Sequence, residues 1–205
     1  MLRSGEDQCT LGGQRCDLTM APISPRAIST DRLLLRPTTV ADADCAFQIQ
    51  SDWEVTRMLR LVPFPPDIGE IRQWFAGHAG ERETGRAVRF AMVRDGRMIG
   101  LVDIDTIAER VGTLGYWLDR AAWGHGCATE AAQAVMRLAA DELHLVQLKA
   151  GHAEDNPASG RILTKLGFRF LDTVQRFSRP RNATIWQRRY RRTLRDEPRA
   201  RLAEQ

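Results

Sequence analysis

Trp123-Gly124-His125-Gly126-Cys127-Ala128-Thr129-Glu130 is where the pattern of this 205-residue chain changes. Before it, Leu114-Gly115-Tyr116-Trp117-Leu118 reads as a strand. After it, Ala128, Ala131, Ala132, Val135, Leu138, Ala139 and Leu143 recur at helical spacing, which predicts an amphipathic helix from Cys127 to about Glu142. A helix start presents unpaired N–H groups and a partial positive charge. Two glycines let that backbone approach a ligand without Cβ obstruction, and the single methyl of Ala128 preserves the access. This is chemistry suited to phosphate. Two familiar phosphate loops fail on the residues. No G-x-x-x-x-G-K-[ST] string occurs, and the dinucleotide fingerprint meets Thr129 at its third position, behind an antiparallel meander. A plain glycine turn before a helix remains the bland alternative for the loop taken alone.

Outward from the loop the chain alternates strands and helices. Leu33-Leu34-Leu35 reads as a strand stopped by Pro37. Val40 to Ser51 looks helical, with Thr39 as its N-cap. Val62-Pro63-Phe64-Pro65-Pro66 is a loop, and Asp67 caps a second helix carrying Ile68, Ile71, Trp74 and Phe75. Val88, Phe90 and Met92 alternate along a strand, and Asp95-Gly96 is a hairpin signal. In the partner strand, Met98, Gly100, Val102 and Ile104 are expected on one face, with Ile99, Leu101, Asp103 and Asp105 on the other. Val111–Leu118 completes the meander. Beyond the long helix, Val146, Leu148 and Ala150 form a strand. Asn156-Pro157 opens a short helix that Gly167 closes, and Phe168–Val174 and Thr184–Tyr190 form a last hairpin. This is an α/β chain with a mixed sheet.

Gly115-Tyr116-Trp117-Leu118 followed by Trp123 to Ala131 resembles the acyl-CoA motif of the GCN5-related N-acetyltransferase (GNAT) superfamily. Thr30-Asp31-Arg32-Leu33-Leu34-Leu35-Arg36-Pro37 looks like the opening strand of its branch of ribosomal-protein N-terminal acetyltransferases. Asn156-Pro157-Ala158-Ser159 resembles its Asn-x-x-Ser, and Lys165-Leu166-Gly167-Phe168 its usual helix exit. Four motifs stand in order across residues 30 to 190. Trp123 stands where the superfamily often has Gln or Arg, and the segment before residue 29 has no counterpart.

The resemblance implies a single-domain fold with a mostly antiparallel sheet of six to seven strands, splayed at the acyl-CoA site. It implies acetyl-CoA as cosubstrate, without a metal. N–H groups from Gly124, His125, Gly126, Cys127, Ala128 and Thr129 would hold the pyrophosphate. Tyr116, Trp117 and Leu118 would pair with the pantetheine arm, as a peptide adds to a strand edge, and Asn156 would reach its amides. An N–H near Leu118 would polarise the thioester carbonyl. The reaction would be direct attack by a neutral primary amine, of a protein N-terminus or a small molecule. Asp103 and Asp105, on one strand face, are the candidate bases, and as solvated strand carboxylates they would be ordinary. Ser159 is the candidate partner of the departing sulfur, or simply a helix-start residue. Glu130 is explained by the helix dipole. His78, His144 and His152 are scattered and carry no role. Cys127 reads as a spacer, and Trp53, Phe64 and Trp74 as walls of the acceptor pocket or plain rim aromatics.

The bulk properties set outer bounds. Hydrophobic residues make up 43% of the chain, enough for one core, and no run is long and apolar enough to span a bilayer. Residues 1–28 read as a flexible leader, 29–192 as the domain and 193–205 as a basic tail. Cys9, Cys16, Cys45 and Cys127 form no C-x-x-C pair and read as free thiols in a cytoplasmic protein, a monomer or homodimer. The net charge of +4 is uneven: Gln175–Gln205 carries ten arginines against Asp196, Glu197 and Glu204. With no RNA-binding signature beside it, this charge reads as a solvated strand and tail, not a nucleic-acid site. The reading from a different class is a catalytically silent acyl-CoA-binding or protein-interaction module, which would keep the loop and lack a base.

Overall fold

The computed structural model describes residues 26–194, so the expected leader and basic tail fall almost wholly outside the described residues. One sheet of eight strands organises the chain: β1 (Ile28–Ser29), β2 (Leu34–Pro37), β3 (Val88–Arg94), β4 (Arg97–Ala108), β5 (Val111–Leu118), β6 (Gln147–Ala153), β7 (Arg169–Ser178) and β8 (Ala183–Thr193). Their spatial order is β1-β2-β3-β4-β5-β6-β8-β7. The eighth strand beyond the expected six or seven is β1. Its two residues pair with Leu34 and Leu35, so the sheet includes a residue of the segment expected to be leader. The helices are α1 (Ala43–Gln50), α2 (Trp53–Thr56), α3 (Ile68–Glu83), α4 (Cys127–Asp141) and α5 (Pro157–Lys165). Asp67 caps α3 by accepting the Glu70 N–H at 2.9 Å.

Two layers of helix cover the central strands. On one face α4 buries Ala131, Ala132, Val135, Leu138 and Ala139 against Val88, Phe90, Val102, Ile104 and Leu114. Its alanines allow the helix to lie close to the sheet. On the other face α1 and α3 contribute Ala43, Ala46, Ile71 and Phe75 to a smaller core with Ala91, Met98 and Leu101. Trp74, expected as an acceptor-pocket wall or a rim aromatic, is 38% exposed at the edge of this core.

Met98 and Leu101 share a face, which strict alternation forbids. The register explains it: Val93 pairs with Met98 but Met92 pairs with Gly100, so Ile99 is an extra residue. This β-bulge flips the side-chain parity, and such bulges gather beside functional sites. The β3–β4 turn has positive φ at both Asp95 (50°) and Gly96 (76°), the backbone of a two-residue I′ hairpin.

Candidate active site

The parallel pair β5–β6 is registered at only three positions, Val111–Gln147, Gly112–Leu148 and Thr113–Lys149. Beyond Thr113 the two strands separate, leaving the β6-facing edge of Leu114–Leu118 free of ladder partners from β6. The direction of that edge follows from the bulge. A Cβ on Gly100 would lie 2.2 Å from the Trp117 carbonyl oxygen, so this carbonyl points at β4. In a trans peptide the next N–H points the opposite way, so the Leu118 N–H is aimed into the gap. Two bonds agree: the Asp119 N–H donates back to Ile99 O at 2.8 Å, and Leu118 O accepts from Trp123 Nε1 at 3.1 Å.

The gap opens into a cavity of about 590 Å³ that runs to the start of α4. There Gly124 (φ 78°) and the N-cap Gly126 (φ 79°) occupy left-handed backbone that favours glycine, and no side chain caps α4. The first-turn N–H groups are thus available to a ligand. Nothing lies within 4 Å of a Cβ built on Gly124, so its side of the loop faces open space. Arg161 and Lys165 of α5 line the same cavity and add positive charge.

Across the gap, α5 brings in Asn156 and Ser159. Asn156 is the N-cap: its side chain accepts the Ser159 N–H at 3.2 Å, and Pro157 takes the first helical position. The Ser159 hydroxyl is hydrogen-bonded to the Tyr116 hydroxyl at 2.8 Å, which bridges α5 to β5. Burial pushes the Tyr116 phenol up to about 12, against the lowering effect of Ser159, so Tyr116 stays a neutral donor.

The structure therefore brings together on one cavity Tyr116, Trp117 and Leu118 with Trp123, Gly124, Gly126, Cys127, Ala128, Thr129, Asn156 and Ser159. His125 does not line it; its carbonyl accepts from Arg32 Nη1 at 2.6 Å. Asp103 and Asp105 do not line it either. They sit on the α3 face of the sheet, where Arg89 binds Asp103 at 2.5 Å, Asp105 at 3.3 Å and Glu81 at 2.9 Å, beneath the ring of Trp74. Burial pushes the Asp103 carboxyl up to about 6, against the opposing pull of Arg89. Gly115 is required here, because a Cβ would come 2.4 Å from Asp103 Oδ1. The expected face was right for these two aspartates, but a strand face lacks the depth coordinate that tells an ion-pair cluster from an active site.

Two lining features had no signal in the sequence. His152 of β6 is buried, with Nδ1 2.7 Å from Ala153 O and Nε2 3.2 Å from the Tyr190 hydroxyl. A carbonyl only accepts, so Nδ1 carries the proton and Nε2 accepts from Tyr190. Burial lowers its pKa, keeping the ring neutral. Asp155 joins Arg57 of the loop after α2 (3.2 Å) to Arg181 of the β7–β8 turn (2.9 Å). The bonds to Arg181, with burial opposing, hold its carboxyl below the ordinary range. Arg57 is 57 residues from the start and Arg181 lies in the last turn, so only the fold shows that they meet. Among the described residues, no group of three or more His, Cys, Asp or Glu side chains could hold a metal ion.

A parallel pair that separates beside an uncapped helix start defines the class: an α/β fold with a cleft that ends at an anion-binding helix terminus. The profile of the acetyltransferase (GNAT) domain matches residues 32–169, and the chain belongs to this family of acetyltransferases. An uncharacterized N-acetyltransferase of Bacillus licheniformis, p20, is 32% identical over 143 residues, covering 68% of this chain and 80% of p20. Among solved structures, Mycobacterium smegmatis RimJ with a CoA disulfide superposes with a TM-score of 0.76 at 21% identity, over 85% of this chain and 90% of that one. RimL, a ribosomal α-N-protein acetyltransferase in complex with coenzyme A, gives 0.74 at 19% identity, over 82% and 98%. At these identities the two structures speak to the fold.

Proposed function

We propose that this protein transfers an acetyl group from acetyl-CoA to a primary amine by direct attack on the thioester. Family membership makes acetyl-CoA the donor. The observation that carries the site reading is the separation of β5 from β6 beyond Thr113, with the uncapped α4 start at the mouth of the gap. The pantetheine arm adds to the free edge of β5, and the α4 N–H groups take the pyrophosphate. The Leu118 N–H donates to the thioester oxygen as charge builds there. Nitrogen attacks the carbonyl carbon, the C–S bond breaks and the thiolate leaves. The Ser159 hydroxyl, held by Tyr116, is the donor that meets the sulfur; it hydrogen-bonds the thiolate, and the proton lost by nitrogen passes to solvent.

Of the lining groups able to take that proton, Asp155 is held by two arginines and His152 Nε2 by Tyr190. The amine accordingly reacts in its neutral form without a dedicated carboxylate base. The acceptor we favour is a protein α-amine, in line with the α-N-protein acetyltransferase activity of RimL, with small-molecule amines as the other class. An acceptor screen following free thiol release tests this, and release with peptide N-termini is the expected result. Because Asp155, the carboxylate lining the cavity among the described residues, is held by two arginines, one other reading stays in play, a silent acyl-CoA-binding module. Binding of acetyl-CoA with no thiol release from any amine would establish that reading instead.

A further inference from the structure

Glu130, in the first turn of α4, is a carboxylate beside a loop built for an anion. The helix dipole accounts for its sign but not for its contacts. It accepts from Thr30 Oγ1 at 2.6 Å, from the Arg32 N–H at 2.9 Å and from Arg32 Nε at 2.7 Å, and Arg32 Nη2 approaches its second oxygen at 2.6 Å. The same guanidinium reaches the other side of the loop, where Nη1 donates to His125 O at 2.6 Å. It also lies close to the N-cap: a Cβ on Gly126 would be 3.2 Å from Nη2. One arginine from the β1–β2 turn therefore spans the loop from residue 125 to residue 130. Hydrogen bonds from Thr30 and Arg32 hold the Glu130 carboxyl below its ordinary range although burial works to raise it, so it is ionised.

We infer that Arg32 is a positioning residue for the acetyl-CoA diphosphate, an inference that rests on the loop being the diphosphate site. Arg32 does two things at once. It fixes the His125–Glu130 segment in the geometry that presents the α4 N–H groups. It also neutralises Glu130, whose bare charge would repel a diphosphate. Three of its five N–H groups are engaged in the contacts above, and the rest of the guanidinium stays solvent-facing, with half of the side chain exposed. The β1 strand, Thr30 and Arg32 thus belong to the donor site although they lie some hundred residues before it.

The test is calorimetric affinity for two ligands, acetyl-CoA and S-acetylpantetheine, which lacks the diphosphate. Arg32→Ala is expected to weaken acetyl-CoA at least tenfold and to leave S-acetylpantetheine within twofold. Adding Glu130→Gln to Arg32→Ala is expected to recover at least threefold, because it removes the uncompensated carboxylate. Arg32→Lys, which keeps the charge and loses the fork, is expected to fall between wild type and Arg32→Ala, and it serves alone if Arg32→Ala does not fold. Equal weakening of both ligands, no weakening of acetyl-CoA, or no recovery in the double variant would each overturn the inference. Failure of the wild-type protein to bind acetyl-CoA would instead overturn the site reading on which it rests.

Discussion

Gly126 carries the most demanding conformation at the site, a left-handed N-cap (φ 79°) facing Arg32. Gly126→Glu adds strain on the order of 1–3 kcal/mol and sets a carboxylate against phosphate. It is expected to abolish the rise in melting temperature that millimolar acetyl-CoA gives the wild type by mass action. Ser159→Ala removes the hydroxyl bridged to Tyr116 and is expected to slow thiol release by roughly 10- to 100-fold, with acetyl-CoA affinity changed only a few-fold. Asp103 gives a sharper discrimination. A base with its carboxyl near 6 would make kcat/KM level off above that pH. With the amine reacting as the free base, log kcat/KM instead keeps rising with unit slope toward the pKa of the acceptor. Asp103→Asn then leaves the pH profile unchanged in shape, and a lost plateau in that variant would restore Asp103 as the base.

At the scale of elements the decisive feature is the junction of β4 and β5. The Ile99 bulge, the crowding of Gly100 against Trp117 O and the end of β5–β6 pairing after Thr113 act together to point one N–H into the gap. Gly100→Ala would drive a methyl onto backbone that cannot give way. It is expected to destabilise the fold by about 1–3 kcal/mol in urea titration and to lower thiol release more than the stability loss accounts for. Helix α5 is the second such element. Asn156→Ala removes its cap, at about 1 kcal/mol, together with the amide proposed to reach pantetheine, so acetyl-CoA affinity is expected to fall as well. Both elements were legible as a strand and a helix from alternation, Asn-Pro and a C′ glycine. The bulge was not, because Met98 and Ile99 are both apolar and either fits either face.

For the whole molecule, stability against pH is governed by buried titratable groups on the α3 face of the sheet. His78 of α3 is 2% exposed, and burial lowers its pKa to about 3. The unfolded chain binds that proton below about 6.5 and the folded protein does not, so stability falls as pH drops through this window, by up to about 1.4 kcal/mol per pH unit. Asp103 opposes this over a narrower range. Its raised carboxyl is protonated first in the folded state, which adds stability as pH falls from about 6 to 4. Between pH 6 and 4 the two slopes offset each other, so the expectation there is a nearly flat profile that His78→Gln turns into a gain of stability as pH falls and Asp103→Asn into a loss, measured by urea unfolding between pH 4 and 8. The sequence by itself determined the family, the order of elements, the glycine-bearing start of α4 and the Asn156–Ser159 turn. Each of these is written in contiguous residues, as spacing, glycine or a cap. Only the tertiary structure decided that Asp103 and Asp105 belong to the Arg89 cluster, that Tyr116 meets Ser159, and that Arg32 spans the loop from His125 to Glu130. Those depend on which residues distant in the chain share a face and a depth, and on a bulge that reverses side-chain parity, and no local pattern encodes either.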